Sequence, residues 1–229
     1  MLLFTRSPAP APDLPTIAEQ GLTAPDGDSV RLWPSIDTLP AGDGPVLVAD
    51  PRMLPGTISP NGAPPVEVPA VPSRALCNLS PYRPPEPVVA GGGYVGCVLP
   101  DDVALLVIFR RGVWDLPKGT KEPGESVGTC ARREVREEVG VEALTLTCAL
   151  GTTQHGYPDG RRYAVKTTHW YLMQTPDRSF SPDRREGIRR VEWARWDGAR
   201  KHMGYDTLRR HMDRVEGDVR AALNGKDAR

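Results

Sequence analysis

Residues 119–141 read GTKEPGESVGTCARREVREEVGV. The stretch begins after Leu116-Pro117-Lys118, where a strand-like run meets a rigid turn, and the Pro123-Gly124 pair favours a second tight turn. Ser126 offers a helix N-cap, and Gly140 stands where a C′ glycine belongs. The spacing therefore predicts a loop and then a helix over 127–139, about three and a half turns long. On that helix Val127, Ala131, Val135 and Val139 form an apolar stripe. Glu134, Glu137 and Glu138 stand at i, i+3 and i+4, so their side chains can meet at the stripe's border. Two carboxylates about 6 Å apart repel by about 2–3 kcal/mol at an effective dielectric near 20. Arg132, Arg133 and Arg136 can offset part of that, and a hard divalent cation, which prefers oxygen ligands, offsets it better. Taken alone, such a triple reads first as a solvated acidic face laced with arginines.

The spacing around the triple changes that reading. Gly119, five residues, Glu125, seven residues, Arg133-Glu134-Val135, one residue, Glu137-Glu138, one residue and Gly140-Val141 resembles the signature of the Nudix hydrolases at all nine of its fixed positions. The resemblance implies an α/β fold of the Nudix type, an α/β/α sandwich around a mixed sheet. It implies that Glu134, Glu137 and Glu138, with the carbonyl of Gly119, hold Mg²⁺, with Mn²⁺ as an alternative. It also implies that Arg133 and Glu125 orient those carboxylates.

Upstream, Val103 to Phe109 (VALLVIF) is a continuous apolar strand, expected to be buried on both faces. Gly91-Gly92-Gly93 lies in the preceding strand and marks close backbone approaches rather than a P-loop, since no Lys-Ser/Thr follows. Arg110, Arg111 and Lys118 approach the loop on the side where substrate phosphates would lie, and Trp114 is expected to pack against it. Downstream, Leu144 to Leu150 reads as a strand, Gly151 to Gly160 as a polar turn region, and Tyr163 to Met173 as a strand. Alternation puts His169 on one side of that last strand and Lys166 on the other. In proteins similar to this one the strand after the helix lines the substrate cleft, which makes Lys166 and His169 phosphate-contact candidates. A related carry-over makes Glu186, seven residues before Trp193, a candidate extra metal ligand or general base, with Glu192 the weaker alternative; one of Glu134, Glu137 and Glu138 is the other candidate base. Leu208, Met212, Val215 and Val219 recur at helical spacing in a final helix that Gly225 ends.

Residues 1–87 have a different character. They hold 19 of the 25 prolines and are net −4, against +4 for the remainder. Recurrent proline predicts a loop- and β-rich accessory segment with strands near Ser29–Trp33 and Pro45–Ala49, extended chain from Pro64 to Pro72, and a linker at Pro84-Pro85-Glu86-Pro87. Residues 88–225 would form the catalytic domain.

Formal net charge is zero, which argues against an extended nucleic-acid surface. No run approaches the ~18 apolar residues of a membrane span. Cys77, Cys97, Cys130 and Cys148 make no CxxC pair and read as reduced thiols, Cys130 as a small core residue; this suits a cytoplasmic protein. The expected partners are small nucleotide or polyphosphate substrates, with a homodimer left open. The expected activity is Mg²⁺-dependent hydrolysis of a phosphoanhydride in a nucleoside or dinucleoside polyphosphate, because FRRGVWDLPKG and the late GYDTLRR resemble the diadenosine and diphosphoinositol polyphosphate branch. ADP-ribose hydrolysis, removal of an RNA 5′-pyrophosphate, and a nucleotide-sensing role with little turnover are the alternatives.

Overall fold

A computed structural model of the chain describes residues 1–8, 13–24, 28–55 and 65–225. Its residue contacts divide it into two units, one of residues 1–87 with 154–166 and one of residues 88–153 with 167–229.

The first unit is built from short pieces, as frequent proline requires. β1 (Leu3–Arg6), α1 (Leu14–Gln20), β2 (Leu22–Thr23), β3 (Val30–Leu32), β4 (Val46–Ala49), β5 (Val66–Val68) and β6 (Ala70–Val71) follow one another. They pair antiparallel as β1 with β4, β2 with β6 and β3 with β5. The helix α1 is an addition to the expected loop and strand; it begins with a proline in its first turn, where the missing N–H costs nothing. Leu3, Leu32, Leu47 and Val71 form the centre of a closed apolar core. Asn78 is buried and fully used: its side-chain oxygen accepts from Val48 N at 2.9 Å, and its amide donates to Val46 O and Arg83 O. Pro64 lies outside the described residues; the rest of the expected extended stretch contains β5 and β6.

The second unit is organised around a seven-stranded sheet, of which residues 85–87 and 154–166 are counted with the first unit. Its strands are β7 (Pro85–Val98), β8 (Val103–Arg110), β9 (Val113–Asp115), β10 (Lys118–Thr120), β11 (Thr145–Asp159), β12 (Arg162–Gln174) and β13 (Ile188–Arg195), in the order β11-β12-β7-β8-β13, with β10 on β7 and β9 on β8. The β7–β8, β8–β9, β7–β10 and β8–β13 pairs are antiparallel. The sheet as a whole is mixed. Two expectations need correction. The supposed linker at Pro84–Pro87 is instead the approach to and start of β7. The supposed turn at Gly151–Gly160 is mostly strand: β11 runs on to Asp159, and the turn into β12 falls at Gly160, where φ is +57°.

Helix α2 (Val127–Val139) covers one face of the sheet, packing Ala131, Val135 and Val139 on Val95, Leu106, Ile108 and Met173. Helices α3 (Trp196–His202) and α4 (Asp206–Asn224) cover the other, where Val103, Leu105 and Val107 meet Trp196, Met212, Val215 and Val219. Successive residues of β8 thus enter opposite cores, which is why its sequence is apolar throughout. Trp114 packs edge-on against Phe109 of β8, their ring centroids 5.2 Å apart. Cys130 is buried, and the four cysteines are free thiols.

The α4 side holds a buried histidine. His211 Nε2 lies 3.0 Å from Leu150 O, which can only accept, so Nε2 carries the proton and Nδ1 accepts from Tyr94 Oη at 2.7 Å. Burial pushes the imidazole pKa down to about 4. The neutral form is the folded form, so its stabilisation is complete above the unfolded pKa near 6.5 and is lost as pH falls from there towards 4. Chemical unfolding between pH 7.5 and 4.5 is expected to lose about 3 kcal/mol through this group. His211→Gln keeps one donor and one acceptor but cannot protonate, so its pH profile is expected to be flatter. Parallel profiles would assign the acid sensitivity elsewhere.

Candidate active site

Local sequence sets the helix ends. Ser126 caps α2, its Oγ accepting from Thr129 N at 3.1 Å, and Gly140 closes the helix at φ +76° with its N–H on Arg136 O. The preceding loop returns to the sheet as β10, with Gly119 opposite Gly91. Both glycines answer to close approaches. A Cβ on Gly91 would lie 2.6 Å from Ala131 N in α2, and one on Gly119 would collide with the Glu134 carboxylate. The glycine pair thus lets α2 settle onto β7 with its carboxylates against β10.

Arg133 is the hub of the exposed half of the site. Its guanidinium donates to Glu125 at 2.8 Å, Glu134 at 2.8 Å, Glu137 at 3.0 Å and Thr120 O at 3.1 Å. Arg133, joined by Glu122 N–H, holds the Glu125 carboxyl down at about 2. Glu125 therefore remains an acceptor for Arg133 at any ordinary pH, and the Glu125–Arg133 pair fixes the azimuth of the helix face.

Glu138 forms the buried half. Only 2% of its surface is exposed. Burial pushes its carboxyl up to about 7, against the opposing pull of Lys118 and Arg110. Its two oxygens are both used, one accepting from Lys118 N at 2.8 Å and the other from Arg110 at 2.6 Å. The second nitrogen of Arg110 reaches Glu186 at 3.3 Å.

The structure thus gathers Glu125, Arg133, Glu134, Glu137, Glu138, Arg110 and Glu186 around one edge of α2, joined by ion pairs within its exposed and buried halves. Lys118 joins through its backbone N–H, while its ammonium lies 2.5 Å from Asp115. Asp115 is buried, and also accepts from Leu116 N at 2.8 Å. Sequence reasoning passes over Asp115; its one signal is an acidic residue between Trp114 and Leu116 in an otherwise core-bound strand. Arg111 occupies the β8–β9 turn with φ +52°, exposed, its side chain against Gly187. His169 is half-buried on β12, and burial lowers its pKa. Lys166 groups with the first unit, and Glu192 is ion-paired with Arg190 on β13 at 3.4 Å.

Glu134, Glu137, Glu138 and the Gly119 carbonyl are all hard oxygen donors, a set suited to Mg²⁺ or Mn²⁺ rather than to a thiolate-seeking metal. Among the described residues no three His, Cys, Asp or Glu side chains already converge on a cation geometry. Arg133 bonds one oxygen of Glu134 and one oxygen of Glu137 while it also holds Glu125. Among the described residues no helix is long and apolar enough to cross a membrane.

Residues 92–215, more than half of the chain, match the family model for the NUDIX domain. The chain is 35% identical over 133 residues to a protein designated MutT4 from Mycobacterium tuberculosis, covering 53% of this chain and 52% of that protein. It is 28% identical over 123 residues to an 8-oxo-(d)GTP phosphatase of Mycolicibacterium smegmatis, covering 54% of this chain and 36% of the other. The alignments span about half or less of these curated relatives. Among solved structures, a C. elegans Ap4A hydrolase binary complex aligns with 58% of this chain and 98% of its own, at 19% identity and a TM-score of 0.47.

Proposed function

The chain belongs to the NUDIX domain family, and on that premise we propose that it is a divalent-cation-dependent hydrolase of phosphoanhydrides in nucleoside or dinucleoside polyphosphates. The observation that carries this reading is the set of Glu125, Arg133, Glu134, Glu137 and Glu138 on one edge of α2, beside the Gly119 strand. Isolated acidic helix faces do not need a buried carboxylate held by two donors; Glu138 is such a group.

In this reading Glu134, Glu137 and Glu138 hold the cation with the Gly119 carbonyl. A bound Mg²⁺ or Mn²⁺ supplies charge neutralisation of the phosphate oxygens and a more acidic attacking water. The chain's own contribution is positioning. Arg133 sets the carboxylates' directions from a fixed Glu125, and Lys118 N–H keeps Glu138 turned towards the cluster. Positioning and electrostatics account for most of the barrier reduction in phosphoryl transfer. Glu186 is the candidate base, or an added cation ligand. Arg111 and His169 remain candidates for the substrate's phosphates; Lys118 enters that role only by releasing Asp115.

The name of one relative, an 8-oxo-(d)GTP phosphatase, favours nucleoside triphosphates within this class. The test is a panel of nucleoside triphosphates, 8-oxo-dGTP, dinucleoside polyphosphates, ADP-ribose and 5′-triphosphorylated RNA with Mg²⁺ or Mn²⁺, with products read by mass in ¹⁸O-water. Cation-dependent turnover of a mono- or dinucleotide polyphosphate with one labelled oxygen in the product is expected. Tight nucleotide binding without turnover would replace the enzyme by a sensor.

A further inference from the structure

Arg110 is a sequence candidate for binding substrate phosphate, yet its fork is turned inward. One terminal nitrogen donates to Glu138 at 2.6 Å and the other to Glu186 at 3.3 Å. Glu138 is on α2, and Glu186 is on the single turn Arg184–Glu186 that precedes β13. One guanidinium at the end of β8 therefore joins two carboxylates far apart in sequence.

The surrounding backbone explains why they can meet. Ser181 N donates to Val139 O at 3.0 Å and Asp183 N to Glu138 O at 3.4 Å, so the loop crosses the C-terminal end of α2 and uses carbonyls that lack helical partners. The turn ends at Gly187 with φ +77°, and Ile188 then pairs with Arg110, just before a register shift in β13. The loop backbone is thus held at 181–183 and again at 188. Between those points the Glu186 side chain is half-exposed and ion-paired with Arg110.

We propose that Arg110 is a positioning residue that turns Glu186 towards the Glu134/Glu137/Glu138 cluster, so that the loop carboxylate takes part in cation binding there. This rests on the function proposed above. The requirement is a planar fork with two separated donors, which lysine does not provide. A lysine at this position could still face Glu138 with one ammonium, so the buried carboxylate would keep a counter-ion while Glu186 lost its tether. Arg110→Lys is therefore the informative change, whereas Arg110→Ala would strand Glu138.

The experiment compares wild type, Arg110→Lys, Glu186→Gln and the double variant in two ways. The first is Mn²⁺ binding to substrate-free protein, read from the electron paramagnetic resonance signal of free Mn²⁺. The second is amide hydrogen exchange at residues 184–187. Arg110→Lys and Glu186→Gln are each expected to weaken Mn²⁺ binding about tenfold, the usual scale for a residue that orients metal ligands. The double variant is expected to lose no more than either single one, because the two side chains act as one unit. Exchange at 184–187 is expected to rise in both single variants. Additive losses, or unchanged Mn²⁺ binding in Arg110→Lys, would overturn the proposal. If wild type binds no Mn²⁺, the cation-dependent function fails; unchanged exchange in Arg110→Lys would separately remove the tether.

Discussion

Glu138→Gln is expected to lower kcat about a thousandfold, equivalent to about 4 kcal/mol of transition-state stabilisation, while the protein stays folded. The reasoning begins with where Glu138 sits. Its carboxyl is buried and pushed up to about 7, so the interior of the site tolerates a neutral group of the same shape. Gln can still accept the Lys118 N–H bond, and Arg110 keeps Glu186. What glutamine cannot supply is the negative charge that a hard cation needs. The measurement is steady-state turnover at saturating Mg²⁺ beside a thermal melt. A variant with wild-type kcat would remove Glu138 from the mechanism. A variant that no longer melts cooperatively would show instead that the charge holds up the fold.

Gly91→Ala is expected to produce the largest loss of stability, about 3 kcal/mol, the upper end of the usual cost of overpacking. The added Cβ would meet Ala131 N at 2.6 Å, Val127 O at 2.8 Å and Ala131 Cα at 2.9 Å. All three are helix backbone, so no side-chain rotation can relieve the contact. β7 and α2 would have to separate, and the Ala131, Val135 and Val139 face would lose its packing. Gly128→Ala is the control. Its Cβ would find Leu146 Cδ1 at 3.6 Å, an ordinary contact, and alanine is favoured over glycine in a helix by about 0.5–1 kcal/mol. Urea unfolding should therefore move in opposite directions for the two substitutions. A wild-type midpoint for Gly91→Ala would mean that helix and strand do not approach as closely as described.

What the sequence determined by itself was local. Ser126, the Ala131-Val135-Val139 stripe and Gly140 define α2 through capping and period, and the apolar run of β8 announces a strand between two cores. The same run of residues put the three glutamates on one helix edge and identified the family, because each of those features depends on neighbours within a turn or two. Tertiary structure decided everything that required distant segments to meet. It turned Arg110 inward to Glu138 and Glu186, gave the Lys118 ammonium to Asp115 and left its backbone N–H for Glu138. It extended β11 through a stretch whose polar residues resemble a turn, and it ordered a proline-rich segment around Leu32, Leu47 and Val71. The physical reason is that an arginine or lysine side chain reaches several ångströms in any direction. Its partner is selected by which carboxylates the fold has stripped of water, and burial is a property of the packed chain rather than of any short stretch of it.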